Sequence, residues 1–309
     1  MKKRVNNYKE LSELVQKDDF NLSFTSLKQF SESPHHFYKY FSGEFNQTPA
    51  MIFGNMAHTW ILEGEEIFME KVNVLKQGSP IPSSKQARLF CIKVSEGVPC
   101  EEAYPMYYSI NNKSKSAIIN TARANFKKYN AYIKAISGNK NYIFERDLEN
   151  IKYMEKRLKS NKKVSSLLFT GQSEVKFKGV DIAGEKYQGY IDRYNDLGKV
   201  DLKVYRNVKP RKFVRSIYDD KLYWQGAIYR EYKKKKDEKY WIVGVDRDGN
   251  FSTHELHPEL LDAGMDEVRG YTLWYQKCKI TESWSQSYDF FNTHEEGHSI
   301  VYPAHYMIP

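Results

Sequence analysis

The stretch that decides the fold is KYQGYIDRYNDLGKVDLKVY, residues 186–205. Both halves alternate in character and are rich in residues that favour strands, and the central NDLG has the composition of a turn. A four-residue turn pairs Tyr194 with Lys199. The sequence therefore predicts an antiparallel hairpin in which Asp192 lies opposite Asp201.

Two directly opposed carboxylates destabilise a sheet unless a cation neutralises them. Oxygen ligands without supporting thiolates favour Mg²⁺, with Mn²⁺ as a substitute, over Zn²⁺. Lys203 lies on the same strand face as Asp201, because side chains alternate along a strand. A metal and a lysine together suit phosphodiester hydrolysis. The alternative is an ordinary cross-strand ion pair on a solvated hairpin, since short D-x-K strings are common.

Around this hairpin the pattern changes from helical to stranded. Helical periodicity and caps predict a mainly helical part over residues 1–165, with only one short helix near Lys85–Ser95 in the proline-containing stretch 65–108. Residues 114–135 and 145–160 are predicted as basic helices, which either line a duplex channel or form ordinary surface.

Further strands are predicted in SEVKFKGV, KYWIVGVD and NFSTHEL, with one helix through DDKLYWQGAIYREYKKKK (219–236) and a last helix near 258–277. The order predicts an α+β (mixed α/β) fold. We expect a single domain over 1–309, in which residues 166–280 form the core and 281–309 an irregular tail.

Composition limits the function classes. The 309 residues carry 48 Lys and Arg against 39 Asp and Glu, a net charge of +9 that points to an acidic partner, with nucleic acid the leading candidate. A 40% hydrophobic content excludes wholesale disorder. The sequence has no apolar run of membrane-spanning length, and no apolar segment follows the basic start. We therefore expect a cytoplasmic protein without a membrane partner.

Cofactor signals are few. The three cysteines are too few for a Cys₄ iron–sulfur cluster within one chain, and no G-x-x-x-x-G-K-[ST] string predicts ATP binding. We therefore expect neither an iron–sulfur cluster nor ATP.

Five motifs occur in a familiar order. They are SFTSLKQFSESPHHFYKY (23–40), GNMAH (54–58), GYID (189–192), DLK (201–203) and QGAIY (225–229). In this order they resemble the PD-(D/E)xK nuclease superfamily in its RecB-like branch, and above all phage exonucleases of the RecE (exonuclease VIII) type. The resemblance spans roughly residues 22–280 and implies a central mixed β-sheet flanked by helices. Val204-Tyr205 departs from it, because relatives often carry Thr after the lysine.

The resemblance implies a role for each matching residue. Asp192 and Asp201 would be metal ligands, and Lys203 the catalytic lysine. His58 would be a further metal ligand or a phosphate contact, although it also fits the core of an apolar helix. Glu174 is a candidate ligand on the preceding strand, or else a solvent-facing strand residue.

Gln225 and Tyr229 lie four residues apart on one face of a predicted helix, where they would contact the lysine, a water at the metal or the DNA backbone. Tyr229 also fits an aromatic core stripe, and one ring can serve both roles. Four basic residues between the DLK strand and this helix lie where an entering DNA strand needs charge neutralisation. They are Lys209, Arg211, Lys212 and Arg215.

Relatives of this type degrade one strand of linear duplex DNA from its 5′ end and leave a 3′ single strand for an annealing protein. The resemblance therefore implies a Mg²⁺-dependent DNA exonuclease of phage-type recombination, with duplex ends as substrate, an annealing protein as partner and a homo-oligomeric ring. Alternatives are a single-strand exonuclease or structure-specific endonuclease of the same fold, or a non-catalytic nucleic-acid-binding protein.

Overall fold

A computed structural model of the chain describes residues 4–44, 48–111 and 113–291. The expected irregular tail is therefore described only to residue 291, where a 3₁₀ turn covers Tyr288–Phe291. The remainder of that tail, and residues 1–3 of the basic start, lie outside the described residues. That the whole chain forms a single domain stays a prediction.

A five-stranded mixed sheet lies at the centre of the fold, and a second sheet has two strands. The two strands of the small sheet are β1 (Val72–Leu75) and β2 (Asn141–Phe144). The strands of the large sheet are β3 (Gln172–Ile182), β4 (Glu185–Asn195), β5 (Gly198–Val204), β6 (Tyr240–Val245) and β7 (Phe251–Leu256). The large sheet has the order β3-β4-β5-β6-β7; β5 and β6 are parallel and the other neighbours antiparallel. The predicted mixed α+β fold is thereby confirmed.

Helices cover both faces of this sheet. They are α1 (Tyr8–Val15), α2 (Phe24–Glu32), α3 (Pro34–Ser42), α4 (Pro49–His58), α5 (Glu65–Lys71), α6 (Lys85–Ser95), α7 (Cys100–Tyr107), α8 (Lys115–Ile136), α9 (Glu145–Ser160), α10 (Lys162–Leu168), α11 (Pro210–Asp219), α12 (Leu222–Glu231) and α13 (Pro258–Thr281). Several begin at side-chain caps visible in the sequence. Ser23 accepts from the backbone N–H of Ser26 at the start of α2, and Gly43 ends α3 with a left-handed φ of 81°.

The helix expected over 219–236 forms as the shorter α12, and a second helix, α11, which was not predicted, precedes it between β5 and β6. Pro210, with its fixed φ, starts α11, and Lys221, with a left-handed φ of 55°, separates α11 from α12. Helix α12 ends at Glu231, so the four-lysine run that follows is not helical. The two helices make the crossover that a parallel strand pair requires.

The core has one layer on each side of the sheet. Val200 and Leu202 of β5 pack in one layer with residues of α4, α9 and α10. Tyr240 and Ile242 of β6 pack in the other layer with residues of α2, α12 and α13. Every residue of β6 is buried, as expected of a central strand covered on both faces.

Four elements between residues 65 and 144 were not predicted: α5, β1, α7 and β2. The strands β1 and β2 pair in parallel over four residues each, although 65 residues separate them in sequence, so no local pattern reveals them. Pro99 caps α7 and Pro105 lies inside it, where prolines had indicated a loop. None of the helices in the described part of the chain combines the length and apolar character needed to cross a bilayer.

Candidate active site

The predicted hairpin forms with the predicted pairing at its turn. Tyr194 pairs with Lys199, and the regular ladder between β4 and β5 runs from Asn195–Gly198 to Arg193–Val200. One step further, the backbone N–H of Leu202 donates to Oδ2 of Asp192 at 2.7 Å. The Asp192 carboxylate therefore links β4 to β5 and lies beside β5.

Asp201 is almost completely buried, with 1% of its surface exposed. Its Oδ1 accepts hydrogen bonds from Lys203 Nζ at 2.8 Å and from Gln225 Nε2 at 2.7 Å. Its Oδ2 is buried and has no hydrogen-bond partner among the described residues. A buried carboxylate oxygen without a hydrogen-bond partner costs free energy, so Oδ2 is available to bind a cation.

Three further ligand atoms converge next to the hairpin. One atom each from His58, Glu174 and Asp192 lies within 4.8 Å of the others. His58 Nδ1 is 3.6 Å from Oδ2 of Asp192. The flanking pairs Ser173–Arg193 and Val175–Ile191 place Glu174 opposite Asp192 in the β3–β4 ladder. The structure thus brings together His58 and Glu174, which lie far apart in sequence.

Two unusual backbone conformations lie next to or at these ligand residues. His58 ends α4, and the chain continues directly into a π-helical turn at Thr59–Glu63. Such turns are rare and occur often at functional sites. Glu174 has a left-handed φ of 51° inside a strand, a conformation that costs energy for a residue other than glycine.

The electrostatics of the cluster favour added positive charge. Burial raises the pKa of Asp201 to about 6, despite the neighbouring Lys203. Burial, and then the charges of Asp192 and Glu63, raise the pKa of Glu174 to about 7. Burial and the charge of Lys203 lower the pKa of His58 to about 4, so its imidazole is neutral at neutral pH and able to bind a metal.

Lys203 is held as a cation. Burial acts to lower its pKa, but the charges of Asp201 and Asp192 outweigh burial, and the pKa is raised. The Lys203 side chain is 22% exposed, whereas that of Asp201 is 2% exposed. It is therefore a donor and a positive charge at neutral pH.

The helix α12 supplies the two residues of the QGAIY motif. Gln225 donates to Asp201, as given above, and fixes that carboxylate from the side opposite the hairpin turn. The Tyr229 ring packs edge-on against Phe177, with centroids 5.1 Å apart. A Cβ on Gly189 would lie 2.8 Å from the Phe177 ring and 3.0 Å from that of Tyr229. The absence of a side chain at Gly189, the glycine of GYID, therefore leaves the space that the Tyr229 ring occupies.

The four predicted DNA-binding residues lie at the start of α11 and are exposed. Phe213 and Ile217 bury the opposite side of this helix. Arg215 forms an exposed ion pair with Asp219 at 3.3 Å. None of the four, Lys209, Arg211, Lys212 and Arg215, makes a described contact with the carboxylate cluster.

One part of the site was missed from the sequence. Asp220 accepts hydrogen bonds from Tyr205 Oη at 2.6 Å and from Lys28 Nζ at 2.9 Å, and its charge raises the pKa of Lys203. Lys28 lies in the SFTSLKQF stretch, 192 residues away from Asp220. The motif that contains Lys28 was recognised, but only the tertiary structure pairs Lys28 with Asp220, whose charge acts on Lys203.

The donor set fits a hard divalent cation. Two carboxylates and a neutral imidazole converge, and the free Oδ2 of Asp201 lies on the neighbouring strand. Mg²⁺ and Mn²⁺ prefer such oxygen-rich sets, and a cation would offset the repulsion that raises the carboxyl pKa values. His58, Glu174, Asp192 and Asp201 are the residues that would hold it.

Comparison with curated proteins gives no match. One solved structure that the chain resembles is the crystal structure of a "Putative exonuclease" from Eubacterium rectale. At 12% identity the match covers 97% of this chain and 94% of that chain, with a TM-score of 0.48. A family model described as a PDDEXK-like domain of unknown function (DUF3799) matches residues 23–289. This match spans most of the sequence and confirms the resemblance to the PD-(D/E)xK superfamily; the chain belongs to this PDDEXK-like family.

Proposed function

We propose that the protein is a Mg²⁺-dependent DNA exonuclease that hydrolyses phosphodiester bonds. The observation that carries the proposal is the free, buried Oδ2 of Asp201 beside the converging His58, Glu174 and Asp192. Binding of nucleic acid alone does not require buried, mutually repelling carboxylates. The family assignment supports a nuclease.

Each residue has a distinct task in this proposal. His58, Glu174, Asp192 and Asp201 hold the cation, which supplies Lewis-acid polarisation of the phosphate and activation of water. Lys203, protonated at neutral pH, donates to the phosphate and stabilises the negative charge that develops there.

Gln225 and Tyr229 are positioning residues in this mechanism. Gln225 holds Oδ1 of Asp201 at 2.7 Å and so leaves Oδ2 for the cation. Tyr229 holds α12 against β4 at Gly189.

The substrate and its polarity come from the resemblance. Exonucleases of the RecE type act 5′ to 3′ on linear duplex DNA, and we propose the same for this chain, in phage-type recombination or DNA processing in the cytoplasm. The exposed cations of α11 would bind the strand that enters the site. A single-strand annealing protein and a second copy of the chain are proposed partners.

An end-labelled duplex digestion tests this proposal. We expect label loss from the 5′ end of linear duplex with Mg²⁺, a lower rate with Mn²⁺ as substitute, and none in EDTA. Covalently closed circles should survive, and digestion of circles would replace the exonuclease with an endonuclease. Preferential digestion of single strands would reassign the substrate.

A matched pair of variants assigns the activity to the site. Asp192→Asn removes a charge from the cluster, and Asp18→Asn makes the same chemical change at an exposed position. We expect the first variant to lose metal-dependent digestion and the second to keep it. Full activity in Asp192→Asn would overturn the proposed site.

A further inference from the structure

The helices α6, α7 and α8 form a separate unit, here called the helical insertion (residues 85–136). It is inserted between the paired strands β1 and β2 and has its own core, which includes Phe90, Tyr104 and Ile133. In the described part of the chain, none of its side chains contacts the carboxylate cluster. The surface residues of the helical insertion are therefore not needed to form the active site.

This insertion is strongly basic. Its sequence contains nine Lys and Arg and three Asp and Glu, a net charge of +6, whereas the whole chain carries +9. Part of the charge that pointed to nucleic acid thus lies in a unit outside the catalytic cluster, and residues 206–239 carry a further net +7. A surface that gathers charge in this way attracts a polyanion.

The helix α8 differs from an ordinary basic surface helix. Its 22 residues include five Lys and Arg and no Asp or Glu. The 16 residues of α9 also include five Lys and Arg, but with four Asp and Glu. The pairs Lys152–Glu149 and Lys159–Glu155 neutralise two of these cations. Of these two helices, α8 alone has no acidic residue of its own to offset its cations.

Three of the five cations of α8 share one exposed face. Arg123, Lys127 and Lys134 follow a spacing of four and seven residues, which places them on one side of a helix. Arg123 pairs with Glu101 at 2.8 Å, but Lys127 and Lys134 have no carboxylate at ion-pair distance among the described residues. The charges of Lys127 and Lys134 are therefore available to an external anion.

The shape of this face suits a duplex. The exposed residues near the cations include the small Asn120, Ala124 and Ala131, which leave room for a phosphate backbone, and also Phe126, which is 37% exposed. At about 1.5 Å per residue, α8 is about 33 Å long, close to one turn of B-form DNA. Several phosphates can therefore lie along it at once.

We propose that the exposed face of α8 is a second DNA-binding surface. It binds the phosphate backbone of the duplex at a distance from the bond that is cleaved. This inference rests on the proposed function for the identity of the substrate. The inference adds that affinity for DNA depends on a unit separate from the catalytic cluster. Because this surface contacts phosphates, its binding does not depend on the DNA sequence.

Duplex binding in EDTA, followed by fluorescence anisotropy at several salt concentrations, tests the inference without any cleavage. The test variant is Lys127→Gln/Lys134→Gln, and the matched control is Lys9→Gln/Lys17→Gln, which removes two exposed lysines of the α1 region. Each lost phosphate contact lowers the slope of log K against log salt by about 0.9, so the test variant should lose about 1.8. The control should keep the slope of the unmodified protein.

Further arms separate the outcomes. Lys127→Arg/Lys134→Arg should keep the slope, because the charge is preserved. An unchanged slope in the Gln variant, or an equal drop in the control, overturns the inference and leaves the α8 face to a partner other than nucleic acid. If the protein binds duplex with the expected slopes but cleaves nothing with Mg²⁺, the proposed function fails while the binding surface stands.

Discussion

Replacing Asp201 by Asn should inactivate the enzyme and, without metal, make it more stable. The carboxylate is 1% exposed, its Oδ2 has no partner among the described residues, and Asp192 repels it. Asparagine has nearly the same shape and can still accept at Oδ1 from Gln225. The substitution therefore removes a buried charge without leaving a cavity.

The magnitude follows from the pKa. Folding raises the pKa of Asp201 from its ordinary 3.8 to about 6. A difference of this size corresponds to about 3 kcal/mol at pH values above both. Because the pKa is raised, the folded state loses this stability as the pH rises through about 6. The gain in the variant is thus up to about 3 kcal/mol near pH 8 and below about 1 kcal/mol near pH 4. The pKa of about 6 already includes the attraction of Lys203 for the carboxylate.

Thermal unfolding in EDTA at several pH values measures this gain, and Asp18→Asn is the control at an exposed position. A gain of about 3 kcal/mol raises Tm by several degrees in a chain of this size. Adding Mg²⁺ should stabilise the unmodified protein, by about 2.7 kcal/mol at a hundred times Kd, and leave the variant nearly unchanged. A variant that is less stable than the unmodified protein at pH 8 in EDTA would refute the electrostatic reasoning.

Three further outcomes are expected. Lys203→Met should lower the cleavage rate by about 10²–10³ or more while Mg²⁺ still raises Tm, and a loss of both effects would assign the lysine to folding instead. Gly189→Ala should cost about 1–3 kcal/mol in denaturant unfolding, because its Cβ would lie 2.8 Å from Phe177 and 3.0 Å from Tyr229; an unchanged midpoint would contradict this packing. Mg²⁺ affinity by calorimetry should rise from about pH 6 to about pH 8, because a proton must leave Glu174, whose pKa is about 7; a flat profile would remove Glu174 from the ligands.

Patterns that are local in sequence were predictable. The period-two alternation around NDLG specified the hairpin and its pairing of Tyr194 with Lys199, and capping residues such as Ser23 marked the helix starts. The order of the motifs predicted the family, which the match over residues 23–289 confirms. The roles of the motif residues in catalysis stay predictions.

Other elements had no local signal. The strands β1 and β2 exist only because they pair with each other across a long insertion, and the break at Lys221 depends on a left-handed backbone that a lysine rarely adopts. Helices α8 and α9 carry equal numbers of basic residues, and the four acidic residues of α9 are visible in its sequence. The structure adds that Glu149 and Glu155 form ion pairs with lysines of the same helix.

The sequence by itself determined the hairpin, the mixed α+β fold and the family, because alternation, caps and turns act over a few neighbouring residues. The tertiary structure alone decided that His58 and Glu174 converge on Asp192, that Oδ2 of Asp201 stays free, and that Lys28 reaches Asp220. These groups are brought together by chain segments that pack from opposite ends of the sequence. Their pKa values depend on burial and on neighbouring charges, which exist only in the folded protein.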